Sequence, residues 1–337
     1  MKRCHKLLLV LASSLLIYIG CGKKTTAPDT EPPAVPALVI PADKTEYTSD
    51  DNIIQFSWKT VKDAEFYHIQ VSDKLNFLNI IADENNVDNS SIELNNIFGE
   101  GIFYWRVSSL DQSGNTSEWS NVFTFLVNLM MDIDDNIYKS IKIGSQWWLA
   151  ENLKVTKYRN GDPIPEETDN STWADLSTGA RCVYDNDESN ANTHGYLYNW
   201  YAVDDARNIA APGWHVPTDE EWKTLEMALG MSKSESDDTG WRGTNEGSKL
   251  ADRADLWNNG NLDNNAAFGE SGYSALPDGY RQDDGYFLTL GGSANFWSST
   301  ERSDNFAWPR VLHYFNSDVG RSSVNKDYGF SIRLVRD

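Results

Sequence analysis

Read for apolar and polar positions, the chain opens on an apolar run from Leu7 to Ile19, broken only by small or weakly polar residues, and then turns polar. From Leu38 the texture changes to short alternating runs. Gln55-Phe56-Ser57-Trp58 alternates, as do Phe66 to Ser72 and Phe103 to Ser108, so one side of each strand faces a core. Asp111-Gln112-Ser113-Gly114-Asn115 reads as a turn, and Val122 to Val127 as a last strand. Short strands without helical period predict a β-sandwich over residues 38–128.

Residues 132–337 are written differently. Ile133 to Trp148 holds two alternating runs around Gly144-Ser145, which predicts a hairpin. One helix is signalled: Thr218 as N-cap, Glu221 three residues on, then Trp222, Leu225 and Leu229 at helical spacing before Gly230. Those three apolar residues are expected to face the core. Most of the 13 tryptophans lie in this half among Gly, Asn and Asp, which suits a domain of structured loops with sparse regular structure. The fold class expected for the whole chain is mainly β, with an α+β second domain.

Two resemblances sharpen this. The first segment resembles a fibronectin type III domain, through Pro41, Trp58, the strand at Tyr67 to Val71, Tyr104-Trp105-Arg106-Val107 and Ser117-Glu118-Trp119-Ser120. It has no Arg-Gly-Asp tripeptide, and a spacer role is expected of it. The second segment resembles the Fibrobacter succinogenes major paralogous domain. The matching residues are Asp134 to Tyr138, Ile143 to Lys154, Gly195 to Val203, Pro212 to Trp222, Phe296 to Glu301 and Gly329 to Arg333. This resemblance implies a C-type-lectin-like fold related to the formylglycine-generating enzymes. Many members carry cysteines where this chain has Ala211 and Leu334, so the pairing they would offer Cys182 is missing.

The amino terminus sets the expected compartment. Lys2, Arg3 and Lys6 precede the apolar run, which is too short for the ~20 residues of a membrane span, so residues 1–20 read as a signal peptide. Ile17-Tyr18-Ile19-Gly20-Cys21 resembles a lipobox, departing from it at Tyr18. Cleavage before Cys21 with acylation of its thiol would leave a lipidated tether over 21–37, rich in proline and threonine. The expected location is extracytoplasmic, on the outer membrane or cell surface, with the membrane as a partner through the anchor. A net charge of −21 opposes phosphate backbones, so nucleic acid is not an expected partner.

No motif carries recognisable catalysis. His68, His194, His215 and His313 show no HExxH spacing, and there is no CxxC or Gly-x-Ser-x-Gly. Asp132, Asp134 and Asn136 alternate as in a calcium loop, but Ile137 and Ile143 stand where an EF-hand needs Gly and Glu, so a turn is preferred. His215 is expected to orient its loop. No catalytic residue, metal or cofactor is therefore predicted. The expected function is non-catalytic recognition or adhesion to an extracellular glycan or protein, with an envelope scaffold or an unrecognised hydrolase as alternatives. The candidate ligand-surface aromatics are Trp257, Tyr280, Tyr286, Trp297, Trp308 and Tyr314, among further rings at Trp241 and Phe287, with about two-thirds of this set expected in the core.

Overall fold

The computed structural model describes residues 29–337. The expected signal peptide, Cys21 and residues 21–28 of the expected tether lie outside the described residues. Residues 29–37 do not behave as a free tether. The Asn115 amide donates to the Asp29 carbonyl (3.0 Å), Ser109 Oγ to the Ala34 carbonyl (2.8 Å), and Lys59 N–H to the Ala37 carbonyl (2.8 Å). A proline-rich strand keeps its carbonyls even where it lacks N–H groups, and here the neighbouring segments use them.

Eight strands follow: β1 Leu38–Ile40, β2 Thr45–Tyr47, β3 Ile53–Trp58, β4 Phe66–Ser72, β5 Ile80–Val87, β6 Ser91–Asn95, β7 Gly101–Leu110 and β8 Phe123–Val127. They form a three-stranded sheet in the order β1-β3-β6 and a five-stranded sheet in the order β2-β8-β7-β4-β5. Ile54, Phe56 and Trp58 of β3 alternate inward to meet Tyr67, Ile69 and Val71 of β4 and Phe103, Trp105 and Val107 of β7. The two sheets therefore enclose one core. At its centre the Phe125 ring lies 5.2 to 5.7 Å from Phe56, Phe98 and Phe103.

No linker separates the halves. β8 ends at Val127, Asn128 turns the chain at φ 54°, and β9 (Leu129–Met131) already belongs to the next sheet. That sheet runs β12-β17-β11-β10-β9, with β10 Ile137–Ile143, β11 Gln146–Leu149, β12 Trp214–His215 and β17 Val335–Arg336. The predicted hairpin is present, with Ile143 opposite Gln146 and Gly144 at φ 61°. A second sheet holds β13 (Gly240–Arg242), β16 (Val319–Arg321), β15 (Phe306–His313) and β14 (Ser293–Ser303) in that order. The remaining length is short helices, loops and a few two-residue strands, among them the pairs Arg181–Cys182 with Leu197–Tyr198 and Tyr280–Arg281 with Phe287–Leu288.

The Asp132 turn is a turn. Asp132 Oδ1 accepts from the Asp134 and Asn136 N–H groups and Oδ2 from the Tyr138 hydroxyl, so its oxygens are spent within the loop. Asp111 closes the Ser113–Asn115 loop of the sandwich by the same pattern.

The helix spans Asp219–Ala228 with the full capping box between Thr218 and Glu221. Trp222 and Leu225 are buried as expected, against Trp148, Tyr273 and Phe296, whereas Leu229 is only partly buried. Three polar residues of the helix, Asp219, Lys223 and Glu226, are buried too, which its periodicity did not suggest. Glu226 accepts from Arg242 (2.8 and 3.0 Å) and Arg310 (2.6 Å), and Asp219 from Arg310 (2.8 Å) and Arg321 (2.7 and 3.0 Å). Burial alone would raise the Asp219 carboxyl; the Arg321 and Arg310 guanidiniums override it and hold that group well below the carboxylate range.

Irregular segments around these sheets are gathered by arginines that bond carbonyls. Arg281, fully buried, donates to the Glu167, Thr168 and Gly285 carbonyls and to Asn170 Oδ1 while lying over Trp173. Arg159 does the same for Ala210, Ala211 and Trp214. Each guanidinium presents five donors in a fixed plane, so one side chain fixes several strands of irregular backbone. Cys182 is buried and unpaired, and burial pushes its thiol up to about 12.

Candidate ligand-binding surface

Of the aromatic residues expected to form a ligand surface, two are corrected by their burial. Trp297, central in β14, is fully enclosed; its indole donates to the Tyr198 carbonyl (2.8 Å) and its ring lies 4.6 Å from Phe330. Trp257 is buried and donates to the Asp252 carbonyl (3.0 Å). A tryptophan whose N–H finds a carbonyl loses nothing by burial, and both are core residues. Tyr280 is half-buried against Tyr328 and Phe330, and Trp308 half-buried under the Arg321 guanidinium. Tyr286 is 61% exposed at the turn of a small hairpin, and Tyr314 is half-buried.

Tyr314 belongs to a group of rings that the sequence only partly revealed. At the end of β15, His313, Tyr314 and Phe315 stack on one another: His313 to Tyr314 at 4.8 Å, His313 to Phe315 at 5.3 Å and 28°, Tyr314 to Phe315 at 3.9 Å. Trp241 of β13 lies 6.4 Å from His313, nearly perpendicular to it. Trp241 is 46% exposed and Phe315 58%. The sheet explains how Trp241 reaches this place. Trp241 and Val311 both register against Gly320, and a Cβ there would stand 3.2 Å from the indole and from Val311. The glycine leaves room for the indole across the strand.

The face is uncharged at its centre. Burial lowers the His313 pKa, which keeps the imidazole neutral, and its Nδ1 accepts from the Phe315 N–H (3.3 Å). Beneath, Gly260 lies against the Tyr314 backbone closely enough that no side chain would fit. The sequence signal for this surface was three successive rings, His313-Tyr314-Phe315, just before the polar Asn316-Ser317-Asp318.

The other histidine of interest is a brace. His215 Nε2 meets Glu221 at 2.8 Å and Nδ1 meets Asp337 at 2.6 Å, tying the start of the helix to the C-terminal residue. The Glu221 bond, aided by Asp337 and opposed by burial, raises its pKa. Among the described residues no group of three or more His, Cys, Asp or Glu is arranged to hold a metal.

Taken together the chain is mainly β, a sandwich followed by a loop-rich domain with an exposed aromatic face. The sequence model of the Fibrobacter succinogenes major domain matches residues 141–336, and the chain belongs to that family. A comparison with curated proteins finds no match. Solved structures similar to part of the chain include an Fn3-like protein from Clostridium thermocellum (19% identity, TM-score 0.24, 29% of this chain and 95% of that one). The fibronectin type-III domain of human fibronectin type III domain containing protein 3 is similar at 12% identity and TM-score 0.23, over 30% of this chain and 92% of that one. These Fn3-like neighbours fall on the N-terminal part. An alpha-L-rhamnosidase from Dictyoglumus thermophilum is similar at 17% identity and TM-score 0.25, over 40% of this chain and 16% of its own.

Proposed function

We propose that this protein is a lipid-anchored, non-catalytic recognition module on the outer membrane or cell surface, and that it binds an extracellular glycan through the face formed by Trp241, His313, Tyr314 and Phe315. The observation that carries the reading is the exposure of Trp241 and Phe315 beside a stack of rings. An indole and a phenyl ring held half in water leave apolar area that a sugar ring can cover, and aromatic anchors of this kind dominate binding energies. We also propose the C-type-lectin-like fold for residues 132–337. It is supported by the way β10 and β11, from the start of the domain, share a sheet with β17, from its end.

The test uses the full chain carrying Cys21→Ser, on glycan arrays and in pull-downs of envelope proteins, beside a panel of hydrolase substrates. Glycan binding is expected, weakened by about 1–3 kcal/mol in Trp241→Ala and Phe315→Ala with the melt unchanged. Turnover abolished by replacing one carboxylate would make it an enzyme instead; capture of a protein alone would replace the glycan. The anchor has its own test. A palmitate analogue should label the parent and not Cys21→Ser, and equal labelling sinks the anchor.

A scaffold is the second reading, favoured by the junction at Asn128, where the two halves meet without a linker. Silence in every binding assay would favour it.

A further inference from the structure

A groove whose lining shares no residue with the aromatic face runs beside Ala150 to Lys154 and the short helix Ala191–His194. One end, about 260 Å³, includes Asn152, Gly195, Asp252, Arg253, Ser274 and Arg333. The other, about 500 Å³, includes Asp134, Thr156, Glu188 and Tyr196, and Lys154, Ala191 and Asn192 line both.

Lys154 is the notable group. Every other lysine of the domain has a polar partner: Lys139 with Glu100, Lys142 with Asp50, Lys157 with Asp134, Lys223 with Glu220, Lys233 with Asp237, Lys326 with Glu301, and Lys249 with the Leu229 carbonyl. Among the described residues the Lys154 ammonium has none, and it stands 6.0 Å from the centre of the Tyr138 ring. The Asn192 amide and Thr193 hydroxyl are likewise uncommitted and exposed among the described residues.

The floor adds a second cation. Arg333 is fully buried, yet all its partners are neutral: Asn152 Oδ1 (2.6 Å) and the Leu149, Tyr273 and Ser274 carbonyls (2.7 to 3.0 Å). The buried carboxyl behind it, Asp278, is held by Asn152 and Ser331 and pushed up to about 7 by burial, so it offsets Arg333 only in part at neutral pH. Of the rim carboxylates only Asp134 is paired with a cation, Lys157; the other three meet neutral donors. Glu151 accepts from Lys139 N–H (3.1 Å), Asp252 from Arg253 N–H and the Ser274 hydroxyl, and Asp134 from Lys157 and Thr156; Glu188 has only a long contact to the Tyr196 hydroxyl (3.5 Å). Arg253 itself pairs with Asp255.

An open ammonium and a buried guanidinium lining one cavity suit a carboxylate. A free amide and hydroxyl suit sugar hydroxyls, and the Tyr196 ring, backed by Arg181 at 4.6 Å, offers an apolar plane. We propose that this groove binds an acidic sugar unit, its carboxylate at Lys154 over Arg333 and its hydroxyls at Asn192 and Thr193. A single uronate fits better than a polyanion. The attraction is local, within the ~10 Å reach of unscreened charge, whereas the chain as a whole carries −21.

Methyl β-D-glucuronide and methyl β-D-glucoside differ only in the C6 carboxylate, and acetate carries a carboxylate without a ring. Titrated into the full chain with Cys21→Ser by ligand-observed NMR, the glucuronide should bind at least about tenfold more tightly than either of the others. Lys154→Ala should weaken it about fivefold or more and Lys154→Arg should keep it, both with parental melts. Trp241→Ala should leave it unchanged, which separates this site from the aromatic face. Equal binding of glucuronide and glucoside, equal binding of acetate, or indifference to Lys154→Ala would each overturn the proposal.

Discussion

At the centre of the sandwich Phe125 is surrounded by Phe56, Phe98 and Phe103, while at the corresponding depth of the second domain Glu226 is surrounded by Arg242 and Arg310. The sandwich needs no such charges because its backbone is paired strand to strand and its side chains only have to fill the space between two sheets. The second domain has little ladder to spare. Its loops leave carbonyls unpaired, and buried arginines bond them; carboxylates on the helix then neutralise some of those arginines, and tryptophans fill the volume. A loop-rich fold thus exchanges regular hydrogen bonding for directed charge. It becomes sensitive to acid at its core, where the sandwich, among the described residues, buries no charged side chain.

The largest effects should come from removing each centre. Glu226→Ala leaves Arg242 buried without a carboxylate and Arg310 with Asp219 alone, and Phe125→Ala opens a cavity; each should cost about 3–5 kcal/mol. Hydrogen exchange read peptide by peptide separates them: the first should loosen residues 219–321, the second residues 38–127. Loosening of both halves alike would show that they unfold as one unit and break the comparison.

Acid should come next. The Asp219 carboxyl is depressed in the folded chain, so its contribution is complete above the ordinary carboxylate range near pH 4 and is lost as pH falls through its folded value. Exchange protection around the helix should therefore fall below about pH 4 before that of β3, β4 and β7. Simultaneous loss would remove Asp219 as the cause.

Thr218→Ala removes the N-cap and half of the capping box, for about 1 kcal/mol, read as a lower melting temperature without loss of the fold. The smallest effect belongs to His215. Its pKa is raised, so its ion pairs with Glu221 and Asp337 contribute fully below its unfolded value near 6.5 and fade as pH rises through the folded one. His215→Gln should flatten that alkaline decline; a parent protein equally stable at pH 6 and pH 8.5 would argue that the brace contributes nothing.

Much of this was legible from period alone. The alternating strands, the Gly144-Ser145 hairpin and the Thr218 capping box could be read because each is a local rule, satisfied by residues a few positions apart. What escaped depended on distance along the chain. Asp219 and Glu226 sit at positions a lone helix would give to water, and Arg242, Arg310 and Arg321, all outside the helix and the last two on distant strands, reverse that. A faint sign was present: Arg310 stands between Pro309 and Val311 in a mostly apolar strand. The aromatic surface failed in the same way. Trp257 and Trp297 look no different in sequence from Trp241, and what distinguishes them is a carbonyl within reach of the first two and Gly320 beneath the third.

The passage through Asn128 has a consequence for how a ligand is met. Glu46 of the sandwich accepts from the Trp214 indole (2.7 Å) and the Met131 N–H (2.9 Å), and Asp50 from Lys142 and the Trp147 indole, so the two halves are clasped on either side of that single residue. A jointed arm would have to surrender its swivelling whenever its far end took hold of something. With its halves clasped in this way, the loss of freedom on the proposed capture would fall on the ligand and the few side chains that touch it, and the grip would be correspondingly tighter for the same contacts.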